Sequence, residues 1–204
     1  NVDHCTRLCH ASSVAAMLEI LGSAAVSNQV SDVLKAEVAI VIGAKPTVNH
    51  PVAATFMKNA AKNGTKIVVI DPYRSELTRH AEHFFQLTPD TDVALLNSLM
   101  HVIIKEKLYD FEFIDKRTID FEKLRRCVKS YSPKKVAPIC GVTAQEIEAV
   151  ARLYANAKSA MIFWGMGISQ HIHGTDNARC LISLALLCGQ IGRSGAGIHP
   201  LRGQ

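Results

Sequence analysis

Apolar positions along the 204-residue chain fall into two alternating periods. A helical spacing over Ser13–Leu21 is closed by Gly22, and a short helix is expected at Val30–Lys35. Glu37-Val-Ala-Ile-Val-Ile42 is a β-branched run that reads as a buried strand. The turn Gly43-Ala44-Lys45-Pro46 leads into a helix from about Pro51 to Asn63, broken at Gly64. Lys66-Ile-Val-Val-Ile70 is a second buried strand. Strand, helix and strand in this order predict a right-handed βαβ unit with parallel strands. Beyond it the pattern predicts a short strand at His83–Leu87 and a long helix at Val93–Lys105, with Asp92 as its N-cap. Helices at Phe111–Lys116 and Phe121–Val128 follow, then a proline-containing connector at Ser130–Ile139. Thr143 and Glu146 form a capping box for a helix to about Ala157. Ser159–Trp164 is a further strand and Asp176–Leu187 a further helix, while the tail from Gly189 is too glycine-rich for regular structure. The fold class is α/β.

Chemistry concentrates where the strands end. Open parallel sheets bind ligands beyond the carboxyl ends of their strands. Here those ends carry Gly43–Pro46, then Asp71-Pro72-Tyr73-Arg74, then Gly165-Met166-Gly167. A glycine permits close backbone approach, a carboxylate suits ribose hydroxyls or a base edge, and a guanidinium suits phosphate. No Gly-x-Gly-x-x-Gly follows the first strand, which argues against a standard NAD site. Asp71-Pro72 reads equally well as the start of a turn, and Trp164 reads more readily as core than as a cofactor contact. Three strand ends with glycine and polar groups imply a large, nucleotide-like ligand.

Cys9-His10 adds a reactive pair. A thiol just before a helix is biased toward thiolate, the form that binds metals, and Ser12 and Ser13 stand where a cap is expected. Buried packing is the alternative reading of such a pair. The net charge of +5 is scattered without a dense basic run, which argues against nucleic acid as a partner. The six cysteines, at 5, 9, 127, 140, 180 and 188, make no disulfide framework and no Cys-x-x-Cys, so a reducing, cytoplasmic setting is expected. No apolar run is long enough to span a membrane. With no initiator Met and an abrupt end at Gln204, the sequence reads as a piece of a longer protein.

Several motifs, in order and across the whole chain, resemble one family. They are Cys-x-Arg-x-Cys-His at 5–10, Gly-Ala-Lys-Pro-x-x-x-His-Pro at 43–51, Asp-Pro at 71–72, Pro-Asp-Thr-Asp at 89–92, Trp-Gly-Met-Gly-x-x-Gln at 164–170 and Pro-x-Arg-Gly-Gln at 200–204. Together they are similar to the molybdopterin-dependent formate dehydrogenases of the dimethyl-sulfoxide-reductase superfamily, closest to the soluble NAD-linked catalytic (alpha) subunits. The resemblance implies a Rossmann-like domain over residues 1–204, with a mostly parallel sheet flanked by helices. It would bind molybdopterin guanine dinucleotide within a larger protein whose iron–sulfur (4Fe–4S) and C-terminal cofactor domains lie outside this chain. The cofactor would be bis-molybdopterin guanine dinucleotide carrying molybdenum or tungsten, with Cys9 as the metal ligand. His10 would be an acid/base or electrostatic partner, and Arg202 would hold the carboxylate of formate as it becomes carbon dioxide. Cofactor contacts would come from Gly43, Ala44, Lys45, Pro46, Asp71, Pro72, Arg74, Asp90, Thr91, Asp92, Trp164, Gly165, Met166, Gly167, Gln170 and Gln204. Asp92 would accept from guanine, which overrides its N-cap reading. Partner subunits would carry iron–sulfur, flavin and NAD, and this chain alone is not expected to turn over.

The sequence departs from many relatives at Lys45, where they have Asn, and at Tyr73, where they have Arg. Other readings are a nitrate reductase, a non-catalytic electron-transfer relative and a plain nucleotide-binding module. The combination of Cys9, His10 and Arg202 favours the formate enzyme.

Overall fold

The run Val38-Ala-Ile-Val-Ile42 is buried at every position. β-Branched residues on both faces fit a strand covered on both sides, and this one is the centre of the molecule. The computed structural model describes residues 2–202. In chain order the elements are α1 (Thr6–Cys9), α2 (Ala11–Leu21), β1 (Val38–Ile42), α3 (Pro46–Asn49), α4 (Pro51–Lys62), β2 (Lys66–Ile70) and β3 (Ala81–Phe85). Then come α5 (Asp92–Lys105), α6 (Phe111–Arg117), α7 (Phe121–Val128), α8 (Pro133–Cys140), α9 (Ala144–Ala155), β4 (Ala160–Trp164), α10 (Met166–Ser169), α11 (Gly174–Leu187) and β5 (Gly197–Pro200). Short 3-10 turns occupy Val30–Lys35 and Glu76–His80.

The described strands form one parallel sheet in the order β3-β2-β1-β4-β5. Val41 lies opposite Val69 of β2 and Phe163 of β4. Side chains alternate across the sheet, so Ile40, Ile42, Val68, Ile70, Ile162 and Trp164 join the larger core with helices α2, α5, α9 and α11. Ala39, Val41, Ile67, Val69, Met161 and Phe163 join a smaller core on the opposite face with Met57 of α4 and Leu77. The sheet, the parallel βαβ unit, the Gly22 stop (φ 72°) and the Thr143–Glu146 capping box follow the sequence pattern.

Four local expectations are corrected. The third strand runs over 81–85 rather than 83–87, because pairing with β2 already begins at Ala81, opposite Ile67, and ends with Phe85, opposite Ile70, the last residue of β2. The connector over 130–139 contains helix α8. Pro133 stands at its first turn, where no N–H is needed, and Pro138 lies on its exposed side, where water can satisfy the freed carbonyl. The glycine-rich tail holds strand β5. Ser27 Oγ accepts from Ile198 N at 2.8 Å, and Asn28 packs so closely that a Cβ on Gly197 would stand 1.6 Å from its Oδ1. Finally, Ser12 and Ser13 make no cap. Ser12 Oγ donates to the Ser169 carbonyl at 2.5 Å, and Ser13 Oγ meets Ser169 Oγ at 2.6 Å and accepts from Trp164 Nε1 at 2.8 Å. These serines tie α2 to the end of β4.

Candidate active site at the carboxyl edge of the sheet

Strand order reverses between β1 and β4, since the chain moves one way from β1 to β3 and the other way to β5. Diverging connections open a crevice at such a point, beyond the carboxyl ends of the two strands. The loops there are fitted to each other. Gly167 N donates to the Gly43 carbonyl at 3.0 Å, and Gly165 N donates to the Ile42 carbonyl at 3.1 Å. A Cβ on Gly165 would stand 2.6 Å from Gly43 O, and one on Gly167 would stand 2.9 Å from Gly43 Cα. Gly43 itself adopts φ 56°, which a side chain rarely tolerates. These glycines let two strand ends touch, whereas the sequence reading assigned their smallness to a ligand.

Cys9 and His10 arrive here from the short helix α1. His10 (φ −146°, ψ 36°) breaks the helical path between α1 and α2, and this kink turns both side chains inward. Cys9 is buried. Its Sγ–H points at Met166 Sδ at 3.3 Å, and its carbonyl accepts from Gln170 Nε2 at 3.2 Å. His10 is only 2% exposed, yet neither ring nitrogen has a hydrogen-bond partner among the described residues. Burying an imidazole this way costs free energy unless something else supplies the missing partner. Burial, then the positive fields of Arg202 and His4, push its pKa below the usual histidine value. The site thus favours the neutral imidazole, whose acceptor nitrogen meets no partner among the described residues.

Arg202 follows β5 along the same edge. Leu201 N donates to the Trp164 carbonyl at 2.7 Å, so the chain beyond β5 stays against the end of β4. The Arg202 guanidinium is exposed and lies close enough to act on His10.

A second cluster lies on the β2 side. Burial raises the Asp71 pKa, opposed by the Tyr73 N–H, which donates to its Oδ1 at 2.8 Å, and by the charge of Lys45. Lys45 Nζ sits over the Tyr73 ring, 4.2 Å from its centroid, so the two positions that depart from the family pattern touch each other. The Arg74 guanidinium lies over Phe84 at 4.7 Å. Asp92 opens α5 at its first helical position. Thr91 is the N-cap residue without a side-chain cap bond, so the N-cap reading of Asp92 is set aside. Asp92 is 8% exposed, and burial raises its pKa. Its neighbours include Asp71, Asp90 and His171, and His171 Nδ1 stands 3.1 Å from Asp90 Oδ1.

Most of the anticipated residues thus gather along one edge. Gly43, Ala44, Lys45 and Pro46 follow β1, Asp71, Pro72 and Arg74 follow β2, Asp90, Thr91 and Asp92 precede α5, and Gly165, Met166, Gly167 and Gln170 follow β4. Trp164 lies in the core, as the pattern reads, although the resemblance implies a cofactor contact there. Its side chain is completely buried and holds Ser13, so it shapes the edge from beneath without offering a ligand-facing surface. Gln204 lies outside the described residues. Sequence reasoning missed His50, whose Nε2 hydrogen-bonds the Arg202 carbonyl, and His171 beside Asp90. His50 stands inside the 43–51 motif, and that position was the available signal.

Comparison with known proteins agrees with this geometry. The family model described as molybdopterin oxidoreductase matches residues 1–202. Over all 204 residues the chain is 44% identical to formate dehydrogenase H of Escherichia coli, of which it covers 28%. It is 42% identical, again over its whole length, to the F420-dependent formate dehydrogenase subunit alpha of Methanocaldococcus jannaschii, covering 30%. The chain thus spans less than a third of the length of these relatives. Among solved structures, acetylene hydratase from Pelobacter acetylenicus superposes with a TM-score of 0.82 at 28% identity, over 92% of this chain and 25% of that one. Family model, relatives and shared architecture converge on one assignment: this chain belongs to the molybdopterin oxidoreductases.

Proposed function

We propose that the chain is the catalytic, cofactor-holding segment of a formate dehydrogenase. The observation that carries this reading is the buried imidazole of His10, which has no hydrogen-bond partner among the described residues, next to the Cys9 thiol and in the field of Arg202. A neutral base, a soft ligand and a guanidinium are what the removal of a proton and two electrons from a small carboxylate requires.

The residues fit the group the family implies. Among the described residues no cluster of three or more His, Cys, Asp or Glu side chains could hold a metal ion. Cys9 would hold the metal, and the sulfur-rich sphere that a dithiolene would supply suits a thiolate. The cofactor, bis-molybdopterin guanine dinucleotide with molybdenum or tungsten, supplies the two-electron acceptor when bound. Asp92, a buried carboxyl at the first position of α5, is suited to accept from the N–H groups of guanine. Asp71 suits the ribose hydroxyls, and Lys45 and Arg74, each held on an aromatic ring, suit phosphate oxygens.

Arg202 binds the formate carboxylate by paired N–H donors. Neutral His10 accepts the proton that leaves as formate becomes carbon dioxide, and the Met166 and Gln170 contacts hold Cys9 in place. The electrons pass to partner subunits carrying iron–sulfur, flavin and NAD sites, in the cytoplasm. No described helix is long and apolar enough to cross a membrane.

The test uses the full-length parent protein with its partner subunits. Formate-dependent reduction of an artificial dye is compared between wild type and Cys9→Ala at matched metal content. Activity in the first and none in the second is the expected result. A metal- and pterin-loaded wild type that leaves formate untouched overturns the assignment, and nitrate is then the substrate to assay.

A further inference from the structure

The Arg202 side chain makes no hydrogen bond or ion pair among the described residues, so its direction depends on how its main chain is held. Two ties hold it. One is the bond from Leu201 N to the Trp164 carbonyl. The other crosses to a different loop, where His50 Nε2 hydrogen-bonds the Arg202 carbonyl. Because the acceptor is a carbonyl, Nε2 must carry the hydrogen.

His50 is well anchored for this task. It is the half-buried link between α3 and α4, with φ −139° and ψ 62° and its backbone N–H on the Pro46 carbonyl at 2.9 Å. Pro46 and Pro51 open the helices on either side and fix φ there. On the other side His199 is held as well, by Nδ1 against the Asn28 carbonyl at 3.0 Å and by its ring against Phe163 at 5.5 Å between centroids. The loop after β1 and the segment after β5 are therefore coupled through one imidazole.

We propose that His50 is a positioning residue for substrate binding. It clamps the Arg202 carbonyl and so sets where the guanidinium meets an anionic carboxylate. The identity of the substrate, formate, rests on the function proposed above, whereas the clamp itself does not. Its loss should weaken substrate capture more than chemistry, because the His50 hydrogen bond goes to the main chain of the substrate-holding Arg202.

The experiment compares wild type, His50→Ala and His50→Gln in the full-length enzyme with its partner subunits. His50→Ala should raise the KM for formate roughly threefold to tenfold, the size of one net hydrogen bond, with kcat within about twofold. The amide of glutamine places a donor near the Nε2 position, so His50→Gln should return KM most of the way. Independently of activity, amide hydrogen exchange across residues 198–202 should be faster in His50→Ala and close to wild type in His50→Gln. An unchanged KM in His50→Ala, unchanged exchange, or failure of Gln to restore either one overturns the proposal. A wild type that does not oxidise formate overturns the substrate reading instead, and the exchange experiment still decides the clamp.

Discussion

The two ends of the sheet treat their charges differently. At the amino end, Arg152 makes a two-pronged pair with Glu106 at 2.7 and 2.8 Å and a third contact with Glu148 at 3.1 Å. Glu37 accepts the Lys158 N–H at 2.8 Å, and Lys66 faces Glu82. These charges are exposed and answered within the chain. At the carboxyl end His10 is buried with both nitrogens unanswered among the described residues, and Asp71 and Asp92 are carboxyls whose burial works against their charge. Folding of this segment alone gives no reason to retain groups that burial penalises, which supports the cofactor-facing role proposed for the carboxyl edge. The amino end needs nothing further.

The sharpest way to break that contrast is at His10. Replacing it by Gln keeps a polar side chain but removes the base, and kcat should fall by about 10²- to 10⁴-fold in the full-length enzyme. The pH profile carries the sign. Burial and the charge of Arg202 lower the pKa from 6.5, so the neutral acceptor forms at lower pH than for an ordinary histidine. Formate kcat/KM should rise with pH through an inflection below 6.5 and then level off. An inflection above that value would mean that another group titrates.

A smaller effect is expected at Asp92, with opposite signs in two measurements. Its raised pKa means that the fold disfavours the charge, so Asp92 costs stability once pH exceeds the ordinary carboxylate range. Asp92→Asn should raise the melting temperature of the cofactor-free full-length protein at pH 7 by roughly a few degrees. The same change should weaken guanosine diphosphate binding about tenfold by calorimetry, since an amide oxygen accepts less strongly than a carboxylate. A stabilised variant that binds the nucleotide as wild type does would leave Asp92 without a guanine role.

Much of the carboxyl edge was legible because its chemistry is local in sequence. Gly43–Pro46, Asp71–Arg74 and Gly165–Gln170 each follow an apolar run that announces a strand, and parallel topology brings such ends together. What the sequence hid is contact between distant segments. Strand β5 reads as a glycine-rich tail because its partners, Ser27 and Asn28, lie far away in the chain. Helix α8 reads as a connector because the position of a proline on an exposed helix side has no local signature. Trp164 reads as core from the pattern and as a cofactor contact only through the resemblance, and Ser13 reads as a cap, yet the two bond to one another in the core. Cys9-His10 alone is ambiguous between packing and chemistry, and the ring nitrogens, without a partner among the described residues, weigh against packing.

The smallest effect belongs to the amino end and serves as the control. Glu106 and Arg152 are partly exposed, with side chains 33% and 45% accessible, so solvent screens their attraction. Removing the carboxylate with Glu106→Gln should cost no more than about 1 kcal/mol in urea unfolding of the full-length protein, and less at high salt. Dye-linked formate oxidation should be unaltered, because helix α5 runs from Asp92 at the carboxyl edge to Lys105 beside Glu106 and places the pair at its far end. A fall in activity at constant stability would show that the amino end is coupled to the crevice, and the division of labour between the two edges would then have to be redrawn.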